Sequence, residues 1–119
     1  MTTIKNRFCQ PIKIVSEDEA EDRIANSDKP VVIRGFSDDC GACIESGPMI
    51  QQASCDHRDD VEILAVNVDR YPDFAERHKI EMLPTVTGYF KGKQVKQTVG
   101  ANGANGYSRF FAALAKFMK

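Results

Sequence analysis

Two cysteines three positions apart, Cys40-Gly41-Ala42-Cys43, are the residues in this chain best placed to do chemistry. They follow a short apolar run, Pro30-Val31-Val32-Ile33-Arg34-Gly35-Phe36, and a polar loop, Ser37-Asp38-Asp39, and they open a helical stretch. A cysteine at a helix start meets unpaired backbone N–H groups and the positive end of the helix dipole, and both favour its thiolate. The thiolate is the attacking species in disulfide exchange. Cys43, one turn along, is within reach of a disulfide formed on Cys40 and can resolve it. The same spacing serves zinc, but a structural zinc site takes four ligands, commonly as two pairs. The remaining candidates, Cys9, Cys55, His57 and His78, form no second pair, so no metal is expected. Two inert core cysteines are the third reading.

Leu83-Pro84-Thr85 is the second element. A proline directly before a strand, in a chain with a helix-start cysteine pair, invites a cis peptide. Such a bond would bring its flanking backbone up to the cysteines, where an extended substrate could pair with it. The alternative is an ordinary strand-initiating proline. Cys9, near the first strand, reads as a structural residue. Cys55, beside Asp56 and His57, reads as a plain helix-end residue, with a surface thiol open to mixed disulfides as the alternative. His57 and His78 lack a partner motif and read as solvated helix-end residues.

The elements that must position these residues follow from capping, turn signals and apolar runs. Residues 12–15 read as a short strand. Ser16 with Glu19 forms a capping box, and Glu17, Asp18 and Glu19 place negative charge in the first turn of a helix running to about Asn26. Residues 30–36 read as a buried central strand. A helix runs from about Cys40 to Cys55 with Pro48 inside it, where the missing N–H kinks it. Residues 61–68 form a second central strand and residues 71–77 a short helix. Residues 85–90 are a strand, Lys91-Gly92-Lys93 a turn, and residues 94–99 a hairpin partner. The strongest punctuation, Asn102-Gly103-Ala104-Asn105-Gly106, precedes a last helix over residues 107–118, whose apolar face is Phe110, Phe111, Leu114, Phe117 and Met118. The order β α β α β α β β α predicts an α/β domain with parallel strands in its first half and an antiparallel hairpin at the sheet edge.

The chain has 119 residues, enough for one domain over residues 1–119 that buries about two-thirds of its surface without a metal or disulfide staple. Hydrophobic residues are 42% and charged residues 28%, as in an ordinary globular protein. A net charge of −1, from 16 basic and 17 acidic residues, argues against a protein built to neutralise phosphates, so no nucleic acid partner is expected. No run approaches the length of a membrane span, so no membrane association is expected. The opening segment lacks the apolar core of a secretory signal. The expected compartment is therefore the cytoplasm, where thiols stay reduced and four cysteines do not read as a disulfide framework.

Over nearly its whole length the chain resembles the thioredoxin family. Cys40-Gly41-x-Cys43, Pro48, Asn67-Val68-Asp69, Leu83-Pro84-Thr85, Phe90-Lys91-Gly92-Lys93 and Val99-Gly100-Ala101 all fall at that family's spacings. The resemblance implies a thioredoxin fold, a central mixed five-stranded sheet flanked by four helices. It implies a protein-disulfide reductase with Cys40 as nucleophile, Cys43 as resolving thiol and Pro84 as a cis proline. Met82, Leu83, Pro84, Thr85, Val99, Gly100 and Ala101 would form the substrate groove. No cofactor beyond the redox-active Cys40–Cys43 pair is implied. The partners would be disulfide-containing proteins and a thioredoxin reductase or similar upstream reductant, met by a monomer. The alternatives are a binding or clamp subunit of a larger protein, and a more oxidising oxidase or isomerase.

The chain departs from the family's Trp-Cys-Gly-Pro-Cys centre, with Asp39 for the tryptophan and Ala42 for the proline, so its active-site loop is Asp39, Gly41 and Ala42 around the cysteines. Asp38 and Asp39 set negative charge beside the nucleophile and oppose the helix-end effect on Cys40. Arg34 stands where the family has a buried aspartate, and Ala65 where it has the accompanying lysine. An arginine cannot act as a base. Its expected role, with Asp38, is electrostatic: it stabilises a Cys43 thiolate or pairs with Asp38 or Asp39, the alternative being a stem that packs while the head reaches solvent. Met82 replaces a small residue beside Pro84. The chain has no tryptophan, and Phe36 fills the family's other tryptophan position in the strand.

Overall fold

The computed structural model describes residues 9–118. The opening segment read for a secretory signal lies mostly outside the described residues. The elements are β1 (Lys13–Ile14), α1 (Glu17–Asn26), β2 (Val31–Phe36), α2 (Gly41–Cys55), β3 (Glu62–Asn67), α3 (Pro72–Arg77), β4 (Thr85–Phe90), β5 (Lys93–Val99) and α4 (Ala104–Ala115), with a closing 3-10 turn over Lys116–Met118. They build one five-stranded sheet in the order β1-β3-β2-β4-β5. β3 runs parallel to both β1 and β2, whereas β4 is antiparallel to β2 and β5 to β4. The expected mixed sheet with four helices and an edge hairpin is therefore the architecture observed.

Side-chain alternation along the central strands sorts the core onto two faces. Val31 and Ile33 of β2, Leu64 and Val66 of β3 and Tyr89 of β4 pack with Ala20 and Ile24 of α1 and Phe74 of α3. Val32, Ile63 and Val86 face the other way, onto Ile50 and Ala53 of α2 and Tyr107, Phe110, Phe111 and Leu114 of α4. Arg34 shares the parity of Val32, so it faces α2.

Local signals set the element ends. The Ser16 hydroxyl accepts from the Glu19 N–H at 3.2 Å, half of the expected capping box. The return half is replaced by an ion pair: the Glu19 carboxylate takes Lys13 Nζ at 2.9 Å. Between β4 and β5, Lys91 and Gly92 have φ of 52° and 84°, the left-handed pair a tight two-residue hairpin turn needs.

The last helix differs from its sequence reading at both ends. It begins at Ala104 with Gly103 as its N-cap, three residues earlier than the glycine-rich run implied. Tyr107, 1% exposed, is thereby carried into the core, where its hydroxyl accepts from the Asn102 N–H at 3.2 Å. Phe117 and Met118 do not belong to the apolar face, since they lie beyond the α-helix and are 44% and 48% exposed.

Candidate functional site

β2 and β3 end, and β4 begins, at the same edge of the sheet, because β4 is antiparallel to β2 and its Thr85 pairs with Gly35. The loop leaving β2 carries Ser37, Asp38 and Asp39 to Cys40, the N-cap of α2. Cys40 and Cys43 are joined by a disulfide with Cα atoms 5.1 Å apart. The Cys43 N–H points at Cys40 Sγ, 3.0 Å away. A sulfur in the N-cap position thus takes a donor that the helix leaves without an intrahelical partner, the arrangement that favours negative charge on that sulfur. Cys40 is partly exposed, and Cys43 is buried at 2%. Accessibility and the helix-terminal N–H donor fall on the first sulfur, and shielding on the second.

The Leu83–Pro84 peptide is cis, as the family resemblance implied. It stands at the entrance of β4, at the sheet edge that carries the cysteine loop. The Pro84 carbonyl accepts from Gly100 N at 2.8 Å, and Thr85 pairs with Val99, so the ends of β4 and β5 are laced together there. Met82 is 66% and Val99 51% exposed, and Ala101 is exposed with them, an apolar surface at this end. Leu83 and Gly100 are half-buried, while Pro84 and Thr85 are buried. Thr85 therefore contributes backbone rather than side chain, and its hydroxyl donates to the Met82 carbonyl. Gly41 is exposed and Ala42 half-buried beside the cysteines.

Arg34 pairs with neither Asp38 nor Asp39, both of which are exposed. Its terminal nitrogen instead donates to the Cys43 carbonyl at 2.6 Å, and its Cζ lies 5.4 Å from the centre of the Phe36 ring. Its Nε is buried without a partner, although the residue as a whole is only half-buried. Burial holds the guanidinium below its ordinary pKa, with Tyr107 acting in the opposite direction. Ala65 lies opposite Arg34 on β3 and is buried. A pocket of about 270 Å³ opens here, lined by Arg34, Phe36, Asp38, Cys43, Ile44 and Gly47 among others.

Contrary to the reading that the four cysteines form no disulfide framework, all four are paired. Cys9 and Cys55 are disulfide-bonded, with Cα atoms 5.6 Å apart, across 46 residues of sequence. Cys55 is 7% exposed, which excludes the surface thiol. The pairing was hidden because the two sit in no common motif. Gln51, one turn before Cys55, is the residue that brings them together: its Oε1 accepts from Ile12 N at 2.8 Å and its Nε2 donates to the Gln10 carbonyl at 3.0 Å.

The histidines are likewise engaged. His78, with its side chain 12% exposed, stacks on Phe74 at 4.0 Å and bridges Glu21 (2.9 Å) and the Tyr89 hydroxyl (2.7 Å). His57 bonds the Ser108 hydroxyl at 3.0 Å and packs against Phe111. Among the described residues no group of three or more His, Cys, Asp or Glu side chains is arranged to hold a metal, and no helix is long and apolar enough to cross a membrane.

A helix-capping cysteine pair joined as a disulfide, with a cis proline at the same sheet edge, defines a thiol–disulfide oxidoreductase site on a thioredoxin fold. The family profile described as Thioredoxin matches residues 11–113, and the chain belongs to the thioredoxin family. It is 32% identical to a thioredoxin of Streptomyces clavuligerus over 90 residues, 76% of this chain and 83% of that protein. It is 31% identical to the chloroplastic thioredoxin Y1 of Arabidopsis thaliana over 97 residues, 78% of this chain, and spans 56% of that relative's length. The solved structure of a thioredoxin from Malassezia sympodialis superposes with a TM-score of 0.80, covering 91% of this chain and 96% of that one at 23% identity, a likeness of fold.

Proposed function

We propose that this protein reduces protein disulfides by dithiol exchange through Cys40 and Cys43. The Cys40 thiolate attacks one sulfur of a substrate disulfide, forms a mixed disulfide and releases the first substrate thiolate. Cys43, as its thiolate, then attacks Cys40 Sγ, forms the Cys40–Cys43 bond and releases the second substrate thiol. Two electrons pass to the substrate, and an upstream reductant such as a thioredoxin reductase returns the pair to the dithiol. Asp39, Gly41 and Ala42 form the loop around the pair. Met82, Leu83, Pro84, Thr85, Val99, Gly100 and Ala101 receive the substrate chain, with the backbone before Pro84 as its pairing edge.

The observation that carries this reading is the Cys43 N–H on Cys40 Sγ at a helix N-terminus, with Cys40 the more accessible sulfur. Reduction of insulin with dithiothreitol as electron source tests it. Turnover is expected for the native chain and not for Cys40→Ser, and equal rates would remove the enzyme reading. A clamp or scaffold role needs neither cysteine, so the intact pair counts against it.

A second reading, a more oxidising exchanger, is favoured by one observation, the unpaired cation of Arg34 beside Cys43. A couple near about −270 mV supports the reductase, and one at about −180 mV or higher supports the oxidant. The reading places the protein in the cytoplasm. The Cys9–Cys55 bond pulls the other way, because a reducing cytosol keeps most thiols unpaired.

A further inference from the structure

Arg34 is a cation without an anion. Among the described residues it has no carboxylate partner; it is held by the Cys43 carbonyl at 2.6 Å and the Phe36 ring at 5.4 Å, and its buried Nε is unsatisfied. Leaving a half-buried charge unpaired is costly unless some state of the protein supplies the counter-charge. The groups of either sign around Cys43 are few. Arg34 comes from β2, exposed Asp38 from the loop that rims the shared pocket, and Tyr107 from α4; Glu45, two residues along α2, lies on the exposed side of the helix. In the disulfide both sulfurs are neutral. When the mixed disulfide forms on Cys40, Cys43 becomes a free thiol, and its deprotonation places an anion in the pocket that Arg34 lines.

We propose that Arg34 is a positioning residue for the resolving step, holding the first turn of α2 through the Cys43 carbonyl and favouring the Cys43 thiolate by charge. It accepts no proton; the proton leaves Cys43 to solvent along the pocket, and the resulting thiolate attacks Cys40 Sγ. The inference rests on Cys43 being the resolving thiol. It also explains how the chain works with no acid–base pair beneath that cysteine: Arg34 and its neighbour Ala65 supply charge and packing, not a base.

The test isolates one thiol. In Cys40→Ser, with the Cys9–Cys55 bond intact and a thiol count of one, the Cys43 titration is followed by thiolate absorbance against pH. Burial alone would push this thiol above its ordinary value of about 8.5; with Arg34 in place it is expected at or below that value. Adding Arg34→Gln should leave about tenfold less thiolate at pH 7, whereas Arg34→Lys should keep it within about threefold. A purely structural Arg34 would lower the melting temperature in Arg34→Gln and leave the titration unchanged, which overturns the proposal. If Arg34→Gln does not fold, the Cys40→Ser titration decides alone: a Cys43 pKa well above the ordinary thiol value refutes the role of Arg34. Failure of the native chain to reduce insulin would sink the reductase reading and leave this titration standing.

Discussion

Removing the Cys9–Cys55 bond should cost this protein much of its stability and little of its chemistry. The bond closes 46 residues of chain, and loop-closure entropy of the unfolded state then corresponds to about 4 kcal/mol at 25 °C. The folded side of the balance should change little, because the segment it ties down has other anchors. Gln51 holds Ile12 N and the Gln10 carbonyl, and Arg58 donates to that carbonyl at 2.8 Å. For a domain of this size about 4 kcal/mol corresponds to a fall in Tm of about 15 °C. The double variant Cys9→Ala/Cys55→Ala is the cleaner perturbation, since a single change leaves a new buried thiol. Urea unfolding followed by circular dichroism gives the free energy, and the m-value should rise as the uncrosslinked chain expands. Cys55 closes the far end of the 15-residue helix that Cys40 caps, about 20 Å from the active pair, so insulin reduction should persist. A loss below about 1 kcal/mol, in a native chain whose mass and thiol count show two intact disulfides, would refute the reasoning. So would loss of exchange activity in the folded variant.

Two further perturbations read other parts of the fold. A Cβ on Gly88 would lie 2.6 Å from both terminal methyls of Leu114, which is fully buried, so Gly88→Ala should destabilise by about 1–3 kcal/mol in chemical denaturation. Glu62 is held below the usual carboxylate range chiefly by hydrogen bonds from Arg23, at 2.8 and 2.9 Å, against the opposing effect of burial. A depressed carboxylate stabilises the fold above its unfolded pKa, and that contribution is lost as the pH falls through the lower folded value. The Tm deficit of Glu62→Gln should therefore be present at neutral pH and close on acidification.

What could be read before the structure was whatever local spacing encodes. The strand–loop–helix around Cys40 and Cys43 and the order of elements along the chain follow from short-range patterns, and the cis bond at Pro84 from the family resemblance. The errors share a cause: long-range partners that leave no local trace. Cys9 met Cys55 across the sheet-to-helix packing, and Gln51, an ordinary helix residue in sequence, turned out to be the bracket between them. His78 looked solvated at its helix end, but Tyr89 of β4 and Glu21 of α1 close over it. Arg34 had an acid two or three residues past the end of its strand, yet Asp38 and Asp39 stay exposed while the guanidinium is drawn under α2. Side-chain parity on β2 set that direction, because Arg34 shares the face of Val32 that packs on α2. At the start of α4, Gly103 capped the helix before the run of turn residues had ended.

The central claim is that Cys40 attacks and Cys43 resolves. Trapping tests it most directly: Cys43→Ser is mixed with a disulfide-bonded peptide, quenched in acid, and the adduct mapped by peptide mass spectrometry. The account predicts a mixed disulfide on Cys40 that accumulates because nothing resolves it, and none in Cys40→Ser under the same conditions beyond slow reaction at Cys43. An adduct that forms equally fast on Cys43 in Cys40→Ser, or on neither residue, would contradict it.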